Sequence, residues 1–291
     1  MTDYYDPLIK QSHIRTLREW SRFEFVEADL NSVALEPLLR DVEFIFHQAG
    51  QPGVRKSWGR EFGLYLDQNV SATQRLLEAA TGAGSLRKFV YASSSSIYGN
   101  AERYPTMEDD RPEPMSPYGV SKLAGEQLAV LYARNYGLPT VALRYFTVYG
   151  PRQRPDMAFH RFVKAALLRE PITVFGTGEQ IRDFTHVTDV VEANYSAAIS
   201  TTLPGAIYNV AGGSNTSVNE VLRMLDEMVG YAIERNWAPP VAGDVFQTGG
   251  ATSKIAQDLG WRPEISLADG LLSEFQWLQE KVMQSDDQAV A

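Results

Sequence analysis

Cysteine is absent from the 291 residues, which removes disulfides, thiolate metal sites and cysteine nucleophiles from consideration. Histidine is scarce, and His13, His47, His160 and His186 stand too far apart for metal-ligand spacing. No apolar run reaches membrane-spanning length, so no membrane partner is expected. An excess of positive charge is also lacking: the formal net charge is -9, with acidic residues spread along the chain. A general nucleic-acid binder needs a basic surface, so nucleic acid is not an expected partner. A few arginines gathered around one anionic ligand remain compatible with this balance. The first residues, Met-Thr-Asp-Tyr-Tyr-Asp, are acidic and lack a signal-peptide pattern. A soluble cytoplasmic protein is expected.

What is present is ordinary globular composition, 44% hydrophobic and 22% charged, at a length suited to one large domain or two moderate ones. Short β-rich runs alternate with helical stretches in the first half. Strands are predicted at 23–29, 42–47, 88–93 and 140–148, with helices at 64–83 and 117–136 between them. Ser116 and Pro117 supply an N-cap and a first-turn proline for the latter helix. The alternation predicts an α/β fold, a doubly wound parallel sheet with helices on both faces. After Gly150 the pattern changes to short strands such as 172–175 and helices near 188–200, 217–230 and 267–282. The expected organisation is residues 1–150 as one domain and 151–291 as a smaller mixed α/β domain, with the chain crossing between them.

Tyr118 and Lys122 lie at i and i+4 within Ser116-Pro117-Tyr118-Gly119-Val120-Ser121-Lys122, so a helix places both on one face. An ammonium beside a phenol favours the phenolate and is expected to lower the tyrosine pKa, making Tyr118 a general base. By itself the spacing is common. Its context is the run Ser93-Ser94-Ser95-Ser96-Ile97-Tyr98-Gly99 at the end of a predicted strand, where open α/β sheets bind ligands. A hydroxyl there would share a hydrogen bond with a reacting alcohol.

This order of strand, serine run, Tyr-Gly and Ser-Pro-Tyr-x-x-x-Lys resembles the extended short-chain dehydrogenase/reductases, the NAD-dependent epimerase/dehydratase family. The similarity continues through Leu143 to Pro151, Arg182 to Val190, Tyr208-Asn209-Val210 and Leu259 to Pro263. The resemblance implies a Rossmann-like sheet, NAD as cofactor and a UDP-sugar as substrate. Tyr118 would be the base, Lys122 the ribose-holding residue and Ser94 the helper hydroxyl. Asp29, Leu30, Gln48, Ala49, Gly50, Asn69, Ala92 and Tyr145 would complete the cofactor site. Ser95, Ser96, Thr147, Arg154, Phe175, Arg182 and Asp244 would join Ser94 at the substrate, with Phe175 beside the uracil and Arg182 on the diphosphate. Dehydratases of this family carry an Asp-Glu pair after the helper hydroxyl, and decarboxylases a glutamate; Ser95 and Ser96 disfavour both eliminations. Epimerisation at C4 through a 4-keto sugar is left. Thr147, where glucose-type enzymes carry asparagine, and Arg154 favour UDP-glucuronate, with UDP-glucose as the alternative. For Arg154, a solvated loop arginine or a diphosphate contact is an equally good reading of the residue.

The chain departs from the family at its start. Tyr4-Tyr5-Asp6-Pro7 resembles the stretch just after the family's second strand, so a Gly-x-x-Gly-x-x-Gly unit of roughly 30 residues is missing ahead of it. Its strand is normally central, so an exposed sheet edge is expected. A gene start placed too late is the favoured explanation. The others are a degenerate copy and a catalytically inactive homologue that only binds. Val241-Ala242-Gly243-Asp244 also lacks the arginine that many epimerases place before Gly-Asp, and Gly250-Ala251 replaces a common Ala-Asp pair. Helices 64–83 and 117–136 resemble the pair that forms a four-helix homodimer interface.

Overall fold

The structure is a computed structural model that describes residues 2–290, with side chains described through Met283. Its centre is a four-stranded parallel sheet in the order β1-β2-β3-β8, formed by Phe44–His47, Lys88–Ser94, Thr140–Tyr145 and Ala206–Val210. Every residue of β2 is buried, as expected for a strand covered on both faces. On one face α2 (Ala72–Thr81) and α3 (Pro117–Tyr136) pack with Leu76, Leu77, Ala129 and Tyr132 against Phe89 and Tyr91. On the other, α5 (Val187–Ile199) brings Val190, Ala193 and Ala197 onto Val90, Leu143 and Tyr208.

β1 forms one edge of this sheet, as anticipated, and Phe46 on it is 46% exposed. The expected strand at 23–29 is not formed. Its alternating residues suit a strand, but a strand exists only through a hydrogen-bonded neighbour, and among the described residues none pairs with it. Nor was the helix α1, Pro7–Arg18, expected; the Asp6 carboxylate caps it by accepting from Leu8 N at 2.9 Å, with Pro7 in the first turn. The helix expected over 64–83 is broken into a turn at Phe62–Tyr65, a π-helical stretch at Leu66–Ser71 and then α2. π-Helical stretches concentrate at functional sites.

The strand expected over 140–148 ends at Tyr145. Phe146 breaks the ladder, and Thr147–Tyr149 continues as β4, paired in parallel with β7, Phe184–His186. This switch carries the chain out of the main sheet into a second core. There, α4 (Ala158–Leu168), α6 (Val218–Val229) and α8 (Leu267–Val290) enclose Phe159, Val163, Leu222, Leu225 and Leu271. β5 (Ile172–Phe175) pairs with β10 (Arg235–Ala238), and β6 (Ile181–Arg182) with β9 (Thr216–Ser217). The chain returns to the first core through β8 and α5, and again through α7 (Ser253–Leu259) and Trp261.

Candidate active site

The C-terminal ends of β2 and β3 meet the N-terminus of α3. Ser116 caps α3 by accepting from Gly119 N at 3.1 Å, with Pro117 following, so the helix starts one residue before Tyr118. Gly119 lets that first turn approach the serine run closely, since a Cβ there would lie 2.5 Å from the Ser96 carbonyl oxygen. Ser94 ends β2, and its hydroxyl accepts from Ser96 N at 3.1 Å, turning the chain into Ser95–Ile97. The result places Ser94 beside the phenol of Tyr118, a half-buried residue whose ring packs edge-on against Tyr65.

A buried network fixes this arrangement from beneath. Arg144 on β3 donates to both carboxylate oxygens of Glu126 on α3, at 2.9 and 2.8 Å. Ser93 donates to Glu126 at 2.6 Å, and Arg144 donates to the Tyr98 hydroxyl at 2.6 Å. Tyr98 in turn donates to Asn209 on β8 at 2.7 Å. Removing Arg144 or Glu126 would leave the other as a desolvated unpaired charge, at a cost of about 3–5 kcal/mol.

The cofactor-side residues divide into groups. Gln48 donates to Tyr145 Oη and to Asn194 Oδ1, both at 3.0 Å, tying the end of β1 to β3 and α5. Asn69, buried in the π-helical stretch, donates to Gln51 O at 3.0 Å and to Ser121 Oγ at 2.9 Å, and accepts from Gln51 N at 2.6 Å. Gly50 lies against it, where a Cβ would come within 2.8 Å of Asn69 Oδ1 and 4.0 Å of Lys122 Nζ. Ala49 is exposed beside this turn, and Ala92 is buried in β2. Asp29 and Leu30 form a turn against the π-helical stretch: Asp29 accepts from Asn31 N at 2.9 Å, Asn31 donates to Asp67 O at 3.0 Å, and the Leu30 carbonyl accepts from Arg75 at 3.0 Å.

The Lys122 ammonium lies 4.7 Å from the centre of the Tyr91 ring, and a Cβ on Gly50 would come within 4.0 Å of it. Among the described residues it makes no hydrogen bond, and burial pulls its pKa down to about 8, with Glu126 opposing. For Tyr118, burial raises the pKa, while Ser94 and then the Arg154 guanidinium lower it.

Arg154 is half-buried and bound twice to Asp156, at 2.9 and 3.0 Å. Tyr4 donates to the same carboxylate at 3.3 Å. Arg154 and Thr147 both line a cavity of about 400 Å³. Phe175, Arg182 and Asp244 line it too, so five of the substrate-side residues meet there. Tyr118 and the three serines are not on its wall. Arg55 and Tyr4 also line the cavity and were not foreseen as site residues. The signal for Arg55 was the cation pair Arg55-Lys56 directly after Gln51-Pro52-Gly53-Val54, in the turn following a parallel strand.

A half-buried tyrosine beside a serine at a strand end, a buried lysine one turn on and a cation-lined cavity are the parts of a site for proton transfer on an anionic ligand. Residues 6–211 match the NAD dependent epimerase/dehydratase family. The chain belongs to that family. It is 41% identical over 270 residues to an uncharacterized UDP-glucose epimerase of Bacillus subtilis, covering 93% of this chain and 85% of the relative. It is 35% identical over 287 residues to a UDP-glucuronate 4-epimerase of Thermodesulfobacterium geofontis, covering 97% and 87%. The crystal structure of UDP-glucuronic acid 4-epimerase from Bacillus cereus, in complex with UDP-glucuronic acid and NAD, superimposes with a TM-score of 0.91 at 40% identity, covering 94% of this chain and 87% of that one. The Rossmann-like α/β fold expected from the sequence is thus the fold of this family member.

Proposed function

We propose that the protein is an NAD-dependent epimerase acting at C4 of a UDP-sugar, with UDP-glucuronate as the substrate. The observation that carries this reading is the Tyr118 phenol held beside Ser94 where β2 ends and α3 begins, next to the cavity that Thr147 and Arg154 line. Residues 1–150, with β8 and α5 returning to them, would carry the cofactor, and residues 151–291 the nucleotide sugar.

The residues present suit the ribose and nicotinamide of NAD. Lys122 offers buried donors without a protein acceptor, and Gly50 leaves a slot beside it that a Cβ would fill. Lys122 would hold the ribose hydroxyls, with Asn69 fixing the wall opposite. When bound, NAD supplies the acceptor and donor of the C4 hydride. The sequence contains no glycine-rich turn for its pyrophosphate.

Tyr118 takes the proton of the C4 hydroxyl and later returns one to the 4-keto oxygen, while Ser94 holds that oxygen in place. Ser95, Ser96 and Thr147 would offer hydroxyls to the sugar carboxylate. Arg154, already half-satisfied by Asp156, would add charge without gripping so tightly that the ring cannot turn. Elimination has no support here, since neither Ser95 nor Ser96 is an acid or base near neutral pH. A UDP-glucose 4-epimerase is the second reading, because glucose lacks only the carboxylate that Arg154 and Thr147 would meet.

A cytoplasmic homodimer with no nucleic-acid or membrane partner is the state proposed for the enzyme. Among the described residues, no helix is long and apolar enough to cross a membrane.

The test is conversion of UDP-glucuronate to UDP-galacturonate with added NAD, for the unaltered protein and for Tyr118→Phe. Turnover is expected from the first and lost in the second, with UDP binding retained in both. Turnover of UDP-glucose alone would refute the substrate, and an active Tyr118→Phe protein would refute the base.

A further inference from the structure

Arg55 has no role in the proton transfer just described, yet it reaches across the cavity. Its backbone belongs to the first half of the chain, in the short turn Arg55–Ser57 after β1. That turn is rigidly held. Gln51 and Asn69 bond reciprocally at its start, the Tyr65 hydroxyl meets the carbonyls of Pro52 and Gly53 at 3.0 and 2.8 Å, and Ser57 donates to Val54 O at 2.7 Å. From this base the guanidinium lies over the Phe175 ring, 4.2 Å from its centre, and pairs with Asp244 at 3.0 Å. Both partners belong to the second half.

The charges around it do not balance. Burial lowers the Arg182 pKa; Asp244 supports its charge and Arg55 opposes it. Two guanidiniums thus face one carboxylate. Arg154 has its own carboxylate in Asp156, while Lys56 and Arg161 add positive charge to the same wall. An anion of two charges would relieve this excess. The Arg55–Asp244 pair is also weakly held, since the two side chains are 42% and 29% exposed, and such pairs contribute about 0–1 kcal/mol. A phosphate offers the planar fork two parallel charge-assisted bonds, which are stronger.

We propose that Arg55 is a diphosphate-binding residue, which exchanges Asp244 for the pyrophosphate of the nucleotide sugar opposite Arg182, so that the phosphate site is built from both halves of the chain. This rests on the reading of the cavity given above. The same movement uncovers the Phe175 face on which a nucleobase would stack, coupling the two binding events.

The test is calorimetric titration of the full chain with inorganic pyrophosphate, UDP and uridine, before and after Arg55→Ala and Arg55→Lys, with thermal unfolding to confirm that each variant folds. Arg55→Ala is expected to weaken UDP and pyrophosphate by about ten- to a hundred-fold and to leave uridine unchanged or tighter. Arg55→Lys should fall between. An unchanged ratio of UDP to uridine affinity in Arg55→Ala would overturn the assignment, as would a protein that binds neither pyrophosphate nor UDP. Arg55-dependent pyrophosphate binding without UDP binding would leave Arg55 standing and remove the UDP-sugar reading instead.

Discussion

At the scale of single residues, the electrostatics of Tyr118 decide when the site works. Burial raises the phenol pKa, so at neutral pH the resting group is protonated and cannot accept a proton. Turnover should therefore rise with pH as the phenolate forms. Arg154 opposes the effect of burial, so Arg154→Gln should raise the phenol pKa further and move the rise in kcat to higher pH. A pH–rate profile unmoved by that change would show that Arg154 does not act on the phenol. The sequence exposed the pair Tyr118 and Lys122 through their spacing, but spacing on a helix fixes only the direction of Cβ. It cannot say that the lysine ammonium lies near Gly50 and Tyr91, nor that Arg154, far along the chain from Tyr118, also acts on the phenol.

Among the elements, the junction of α3 with the end of β2 sets the distance between base and helper hydroxyl. Gly119 is the contact point. Gly119→Ala would gain about 1 kcal/mol of helix propensity, but its methyl would meet the Ser96 carbonyl at 2.5 Å and the Pro114 Cβ at 2.9 Å. Backbone cannot yield like a flexible side chain, and overpacking of this kind costs about 1–3 kcal/mol. The clash should win: the variant is expected to melt earlier and to lose kcat more than UDP affinity. A variant as stable and active as the parent would show that the two elements are not so tightly seated. α3 and β5 have the bounds expected from the sequence, because an N-cap serine followed by a first-turn proline and a short apolar run carry their own signals. Residues 23–29 did not form a strand, since β-branched and aromatic content reports fitness for a sheet but not the presence of a neighbour. The break at Phe146 was equally hidden: TVALRYFTV reads as one strand, and only tertiary pairing with β7 shows its last two residues, Thr147 and Val148, changing sheets.

For the whole molecule, α3 and the π-helical stretch ahead of α2 carry exposed apolar side chains. Leu66, Val120, Leu131 and Tyr136, in α3 or the turns leading to α2, are between 42% and 66% exposed. If these side chains form the contact of the proposed homodimer, sedimentation should give a species of twice the 32.5 kDa chain, and Leu131→Glu should shift it toward monomer. A wild-type monomer at micromolar concentration would remove the dimer from the reading. The sheet order and the cavity between β4, β5 and the turn after β1 were not legible in the sequence, because they join residues far apart in it, whereas the change of pattern after Gly150 did signal the second core. Among these long-range features, the passage from β3 to β4 has the widest reach. Tyr145, bonded to Gln48 and Asn194, and Thr147, on the cavity wall, are two positions apart on nearly continuous extended chain. With one stiff ribbon serving both compartments, these walls cannot gape like a jaw at that point. The half-turn needed to present the opposite side of a carbohydrate must then be made by the small molecule itself, swivelling on its phosphates inside a frame that stays still.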